Sequence, residues 1–147
     1  MINVVLYEPE IPVNTGNIMR TCVATDTKLH LIKPLGFSLE DKYVKRSGVN
    51  YIDKCNYEVY ENIDDFFNKN ENIYFFFGKE STGIPLNILK DHLDNCMRIP
   101  MTSNVRALNV SNSVAIIVYE ALRQQDFNDL LRYEPHKDKD IIANYHE

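Results

Sequence analysis

Short runs of consecutive apolar residues, separated by longer amphipathic stretches, constrain this chain more than any other feature. INVVLY occupies residues 2–7, LHLIKP residues 29–34 and NIYFFFG residues 72–78, and CMRIPM at 96–101 is a shorter run of the same kind. Strands that are apolar on both faces belong in a parallel sheet covered by helices on both sides. The alternation therefore predicts an α/β fold, a parallel-sheet α/β/α sandwich.

The stretches between these runs carry helix signals. The clearest is SNSVAIIVYEALRQQ at 111–125, whose apolar residues recur at helical spacing. Asn14 or Thr15 is predicted to cap the helix that contains GNIMRTCVAT. The remaining predicted helices are, in chain order, 39–48, 63–70 and 84–92.

Length and composition indicate one ordinary globular domain. The chain has 147 residues, and domains commonly contain about 100–150 residues. We assign the domain to residues 1–127 and a polar C-terminal tail to 128–147. The three cysteines lie far apart, which argues against a disulfide framework or a metal site. No apolar stretch approaches the roughly 20 residues of a membrane span and no signal peptide is recognised, so a cytoplasmic protein is expected.

The net charge of −5 is unusual for a protein that binds nucleic acid through charge alone. The charge is unevenly distributed, because Lys42, Lys45 and Arg46 occur without an intervening acid. Two interpretations remain open, a local basic patch on an acidic protein or an ordinary mixed surface.

Three polar loops follow predicted strands, at the sheet edge where α/β proteins bind ligands. They are PEIPVNTGNIMR at 9–20, FFFGKESTGIP at 75–85 and RIPMTSNVRALNVSNSVAI at 98–116. Each has a simple structural explanation as a turn or a helix cap. Each also carries groups suited to a ligand, because an arginine can bind phosphate or an oxyanion and a glycine permits close approach of the backbone. The glycine spacing excludes a Walker loop.

Taken together, the three loops resemble the three motifs of the SPOUT superfamily of knotted RNA methyltransferases. More closely, the chain resembles the TrmL/YibK-like tRNA 2′-O-methyltransferases, and HLIKPLGF and DKYVKRSGVNY are similar to that subfamily as well. The resemblance covers nearly all of residues 1–127.

The resemblance implies a homodimer with a C-terminal trefoil knot that holds S-adenosylmethionine. It also implies methylation of the ribose 2′-oxygen of the wobble nucleotide, position 34, which is cytidine or a modified uridine in leucine tRNAs. No membrane partner and no metal are implied.

The resemblance also assigns roles to individual residues. Catalytic residues would be Arg20, Glu80, Asn109, Ser111 and Tyr119. The cofactor would contact Phe77, Gly78, Ile99, Met101 and Ala107. RNA would contact Asn14, Arg20, Lys45, Arg46 and Arg106, with Tyr43 and Tyr51 as candidates for base stacking or for core packing.

The implied chemistry suits these residue types. A methyl group must move in line from a sulfonium to a ribose hydroxyl that loses its proton, and positioning supplies much of such a rate. Arginine is effectively always protonated, so we rank charge stabilisation by Arg20 above base catalysis. Glu80 is expected either to orient Arg20 or to receive the proton.

One departure from the family pattern is large. Roughly twenty residues, about a strand and its connection, are absent near Asn70–Glu71. Either the natural protein contains a segment that this sequence lacks, or the chain is truly shorter and its cofactor pocket is incomplete. Two other functions therefore stay open, 2′-O-methylation of another RNA such as ribosomal RNA, and RNA binding by a catalytically weak dimer.

Overall fold

The computed structural model describes residues 1–48, 51–71, 73–137 and 142–146. This part of the chain forms four strands and five α-helices, with short 3₁₀ turns at Ile52–Lys54 and Leu93–Asn95. In chain order the elements are β1 (Asn3–Tyr7), α1 (Pro12–Ala24), β2 (Lys28–Ile32), α2 (Lys42–Gly48), β3 (Tyr57–Tyr60), α3 (Ile63–Lys69), β4 (Phe75–Phe77), α4 (Leu86–Asp91) and α5 (Val110–Gln124).

The four strands form one parallel sheet in the order β3-β2-β1-β4. Val4 of β1 pairs with Leu29 of β2 on one side and with Phe75 of β4 on the other. A strand that is hydrogen-bonded on both edges and covered on both faces has no contact with water, which explains the unbroken apolar run of β1. The predicted parallel α/β fold is confirmed.

Helices cover both faces of the sheet. Val4 and Leu6 point to one face, where they pack with side chains of α1, α2 and α5 such as Ile18, Val44 and Val118. Val5 points to the other face and packs with Phe66 of α3. Each fully buried side chain of this size contributes about 1.5–3 kcal/mol. The two apolar clusters therefore fix β1 and α1, the elements from which the first polar loop emerges.

A histidine is buried inside the sheet. His30 of β2 is 2% exposed, with Nδ1 2.8 Å from the Tyr60 hydroxyl and Nε2 3.0 Å from the Asn3 amide oxygen. An amide oxygen only accepts, so Nε2 carries the proton and Nδ1 accepts from Tyr60. Burial disfavours the charged ring and lowers the pKa of His30 to about 4.

The predicted start of α1 is wrong. The helix begins at Pro12, so Asn14 and Thr15 lie inside it and neither caps it. Its N-cap is Ile11, which offers no side-chain hydrogen bond. Proline suits the first turn because its missing N–H would have no partner there. The amide of Asn14 is thereby left free for contacts outside the helix.

The predicted strand at 96–101 is also wrong, because these residues form no strand. Pro100 has no N–H to donate to a neighbouring strand, and β4 is an edge strand of the sheet in the described residues. Conversely, β3 was not predicted. YEVY has only four residues, and so short an alternation of polar and apolar residues is recognised as a strand only by its pairing with β2. The helix over 111–125 is confirmed as α5, with Val114, Val118 and Leu122 buried.

The predicted knot, and the division into residues 1–127 and a tail, stay predictions. None of the helices in the described ranges is long and apolar enough to cross a membrane.

Candidate functional site

A pocket of about 310 Å³ lies beyond the carboxyl ends of β1 and β4. All three polar loops contribute to its wall, so the predicted convergence of the loops is observed. The lining combines apolar and glycine positions with a few polar side chains, as ligand pockets usually do. The lining residues are Ile11, Asn14, Phe77, Gly78, Lys79, Glu80, Gly83, Ala107, Leu108, Asn109 and Val110.

Glu80 joins the second loop to the first. Its carboxylate accepts hydrogen bonds from the backbone N–H of Glu10 at 2.8 Å and of Ile11 at 3.1 Å. The same carboxylate accepts a third bond from the Asn14 side-chain amide at 3.3 Å. These donors lie at the entrance of α1, where the backbone N–H groups have no partner inside the helix. Glu80 therefore supplies the cap that α1 lacks in its own sequence.

Asn109 joins the third loop to the same network. Its amide donates to the Asn14 side-chain oxygen at 2.9 Å. Its own oxygen accepts from the Ser111 backbone N–H at 2.9 Å and caps the start of α5. A continuous chain of hydrogen bonds thus runs from Glu80 through Asn14 and Asn109 to Ser111. All four were predicted site residues, and Asn14 and Ser111 are 97 positions apart in the sequence.

A second set of contacts reinforces the first two loops. Glu10 accepts from the Ser81 backbone N–H at 2.9 Å and from the Ser81 hydroxyl at 2.6 Å, and these bonds lower the pKa of Glu10. The Lys79 ammonium lies 2.9 Å from the Glu8 carboxylate, and this bond raises the pKa of Lys79. We call Glu8, Glu10, Lys79, Glu80 and Ser81 the loop clasp.

Two glycines shape the loop that carries Lys79 and Glu80. A Cβ on Gly78 would overlap the backbone of Gly83, so only glycine permits this close return of the chain. Gly83 has φ +73, a left-handed conformation that disfavours other residues. Its N–H donates to the Lys79 carbonyl at 2.8 Å and closes the turn. The spacing of the two glycines therefore serves the turn that positions Glu80.

Arg20 lies outside the pocket wall. It is exposed on α1, and its guanidinium sits 5.3 Å from the centre of the Tyr51 ring. Within one chain, the Glu80 carboxylate bonds to Glu10, Ile11 and Asn14 and not to Arg20. Orientation of Arg20 by Glu80 therefore stays a prediction.

The other predicted site residues are distributed around the pocket. Ile99 and Met101 are half-buried but do not line it, and Tyr119 is 45% exposed on α5. Lys45, Arg46 and Arg106 are exposed, and Lys45 pairs with Glu40 at 2.7 Å. The sequence analysis did not find Glu8, Glu10 or Ser81. Their only signal was position, because Glu10 and Ser81 lie within two of the polar loops and Glu8 directly precedes the first.

The types of residue that line the pocket are compatible with S-adenosylmethionine. The apolar and backbone-rich wall at Phe77, Gly78 and Ala107 suits a nucleoside, and Asn14 and Asn109 add polar groups to the same lining. Its volume is at the small end of the ~300–1,000 Å³ that ligand pockets usually have. A larger depression of about 570 Å³ near Lys33, Phe37 and Val59 lacks such converging polar groups.

Sequence comparisons identify relatives that align over nearly their whole length. The profile described as the SpoU rRNA Methylase family matches residues 1–72 and 67–119. A Listeria innocua protein, provisionally named a tRNA (cytidine(34)-2′-O)-methyltransferase, is 47% identical over 97% of this chain and 98% of its own. A Methylovorus glucosotrophus protein with that name is 43% identical over 86% of this chain and 97% of its own.

Solved structures share the fold. An RNA methyltransferase from Bacillus anthracis, also provisionally named, has a TM-score of 0.84 and 44% identity over 90% of this chain and 100% of that chain. A structure described as "Structural insights into the 2-OH methylation of C/U34 on tRNA" has a TM-score of 0.77 and 33% identity over 87% of this chain and 98% of that chain. An AdoMet-bound rRNA methyltransferase from Sinorhizobium meliloti shares only the fold, with a TM-score of 0.72 and 18% identity over 84% and 56%.

The same comparisons bear on the shortened segment. The two profile matches meet at residues 67–72, and the alignment with the Listeria protein spans 167 positions against the 147 residues of this chain. Both findings agree with the predicted absence of a segment near Asn70–Glu71.

Proposed function

The chain belongs to the SpoU rRNA methylase family, and from this premise we propose that it transfers a methyl group from S-adenosylmethionine to the ribose 2′-oxygen of nucleotide 34 in tRNA. Relatives that align over nearly their whole length carry this activity in their names. The observation that carries the proposal is the hydrogen-bonded network around the pocket, which assembles Asn14, Glu80, Asn109 and Ser111 in one place.

The cofactor is proposed to occupy the pocket against Phe77, Gly78 and Ala107. When bound, it supplies a methyl group activated by a sulfonium. Ile99 and Met101 remain proposed contacts on the neighbouring segment. Use of this cofactor is supported by the AdoMet-bound state of a protein with the same fold. No metal is part of the proposal.

Glu80 is proposed to position the loops rather than to accept the ribose proton. Both of its oxygens already accept hydrogen bonds, from two backbone N–H groups and the Asn14 amide. Charge-assisted bonds of this kind are roughly twice as strong as neutral ones. Releasing them to receive a proton would open the entrance of α1. Positioning of the ribose by the fixed loops then carries most of the rate.

Arg20 is proposed to bind the RNA phosphate or to stabilise the developing alkoxide. Arg20 lies outside the pocket of its own chain. In the homodimer that the family resemblance implies, Arg20 of one copy would lie at the pocket of the other. Exposed apolar side chains on α5, Ile116 and Tyr119, suit burial in such a dimer. Sedimentation of the purified protein tests the dimer.

The RNA groove is proposed to include Asn14, Arg46 and Arg106, with Lys45 at its edge. Leucine tRNAs and a cytoplasmic location complete the proposal. Local cations on a chain of net charge −5 fit recognition of a loop by shape and stacking better than binding by charge alone.

The experiment is methyl transfer from tritiated S-adenosylmethionine to leucine tRNA transcripts, with the modified nucleotide mapped by mass spectrometry. Incorporation at nucleotide 34 is expected. The matched control is the same tRNA with 2′-deoxycytidine at that position, which should accept no methyl group. Incorporation into ribosomal RNA and not into tRNA would favour the alternative substrate. Retention of tRNA without affinity for S-adenosylhomocysteine, by calorimetry, would indicate a binding protein.

A further inference from the structure

Arg20 differs from three of the four other cations that lie over an aromatic ring in the described ranges. Lys69, Lys79 and Arg132 each lie over an aromatic ring and also pair with a carboxylate. Arg20 lies over the Tyr51 ring, and among the described residues no carboxylate is within ion-pair distance of it. Its charge is therefore left uncompensated by any acid in that part of the chain.

Tyr51 is anchored by its neighbour. It directly precedes the 3₁₀ turn Ile52–Lys54, and Ile52 packs against the apolar cluster that contains Ile18 of α1. The Tyr51 ring is half-buried, whereas Arg20 is exposed. The ring is thus the more buried member of the contact, and it lies next to a residue that packs against the core.

An aromatic face restrains a guanidinium without occupying its donors. A carboxylate partner takes two N–H groups and cancels the positive charge, whereas the face of a ring leaves the planar fork of donors at the edge of the guanidinium. Those donors are the groups that bind a phosphate or an oxyanion in two places. The Tyr51 contact therefore orders Arg20 and keeps it competent for RNA.

We propose that Tyr51 is a positioning residue, which holds Arg20 by its ring face so that the guanidinium meets the RNA with its charge and donors free. The proposal rests on the proposed function for the identity of the RNA. Lys42 repeats the arrangement on α2, where it lies over the Tyr43 ring without a carboxylate within ion-pair distance in the described ranges.

The test compares three single variants. Tyr51→Phe keeps the ring, and Tyr51→Leu removes it while keeping an apolar side chain. Phe127→Leu is the matched control. It removes the ring beneath Arg132, a cation that also forms an ion pair with Asp126 and so keeps a partner. The first readout is the affinity for a fluorescein-labelled leucine tRNA anticodon stem-loop by anisotropy, over a series of salt concentrations. The second is kcat and KM for methyl transfer.

A contact of this kind corresponds to an affinity change of about two-fold to five-fold. We expect Tyr51→Leu to weaken RNA binding by that amount and to flatten its salt dependence, because a disordered Arg20 neutralises a phosphate less well. Tyr51→Phe and Phe127→Leu should leave the affinity unchanged. Equal losses in Tyr51→Phe and Tyr51→Leu, or full affinity in Tyr51→Leu, would overturn the proposal.

A double variant separates positioning from mere structure. In the Arg20→Ala background, Tyr51→Leu should have no further effect on RNA affinity, because its effect acts through Arg20. A further loss in that background would also overturn the proposal. If the wild-type protein binds the RNA but does not methylate it, the proposed function fails. The coupling between Tyr51→Leu and Arg20→Ala in RNA affinity still decides the role of Tyr51. If it methylates tRNA without coupling, the function stands and the positioning role fails.

Discussion

Residues 1–69 and residues 73–108 of this protein are stabilised in different ways. In the first region, side chains such as Val4, Ile18 and Leu29 are fully buried. In the second, Leu86, Leu93 and Met97 are 82%, 68% and 70% exposed, and β4 has only three residues. The first region supplies most of the buried core together with α5, whereas the second is attached through β4 and the loop clasp.

The difference explains where the pocket lies. The network of Glu80, Asn14 and Asn109 sits at the junction of the two regions, where polar contacts replace apolar packing. The site therefore depends more on hydrogen bonds than the core does, since the core is stabilised by apolar packing. Substitutions in the two regions test this difference.

The largest effect on the free energy of unfolding is expected when a leucine-to-alanine substitution in the first region is compared with one in the second. Leu29→Ala should lower the free energy of unfolding by about 2–5 kcal/mol, because it opens a cavity in the core. Leu86→Ala should change it by less than about 0.5 kcal/mol, because the side chain is already in water. Urea unfolding of both variants measures the difference. Equal costs would mean that α4 is covered in solution and that the contrast is wrong.

Glu80→Ala should be the most damaging change at the junction. It leaves the Glu10 and Ile11 N–H groups and the Asn14 amide without their acceptor. A loss of about 100-fold in kcat/KM is expected, which corresponds to one charge-assisted hydrogen bond of about 1.5–3 kcal/mol, because water replaces part of the three bonds that are lost.

The matched control is Ser81→Ala, which removes only the hydroxyl bond to Glu10 while the backbone bond remains. We expect it to cost much less than Glu80→Ala. Comparable losses would show that the clasp as a whole, and not the Glu80 carboxylate, controls the pocket.

The packed region should also carry a pH dependence. The pKa of His30 is about 4 in the fold and about 6.5 in an unfolded chain, so between these values the unfolded state binds more protons and stability falls with falling pH. The contribution is intact above pH 6.5 and should decline by about 2 kcal/mol between pH 7 and pH 5.

Urea unfolding at several pH values measures this decline, with His30→Gln as the control because it does not titrate. A decline of the same size in His30→Gln would assign the pH dependence to other groups.

The smallest effect is expected at the Lys79–Glu8 pair. Its side chains are 28% and 21% exposed, so their coupling in a double-mutant cycle with Lys79→Met and Glu8→Gln should be about 1 kcal/mol. Thermal unfolding of the four proteins gives the coupling. A value near zero would restrict the function of the clasp to Glu10, Glu80 and Ser81.

Elements with strong periodicity were predictable, and elements that depend on a distant partner were not. α5 was found because its apolar residues fall on one face, and β1 because it contains the consecutive apolar residues Val4, Val5 and Leu6. YEVY becomes β3 only through β2, and CMRIPM at 96–101 lacks a strand beside it. Asn14 was assigned to a helix cap from its neighbours in sequence, whereas its partners, Glu80 and Asn109, are 66 and 95 positions away.

The sequence by itself determined the parallel α/β architecture, the three polar loops and the family, because these follow from local periodicity and from motif spacing. Only the tertiary structure decided that Glu80 completes the entrance of α1, that Asn109 meets Asn14, and that Arg20 rests on Tyr51 outside the pocket. The physical reason is that hydrogen bonds and ring contacts act over a few ångströms, so their partners are chosen by the packing of β1, β4 and α1 and not by distance along the chain.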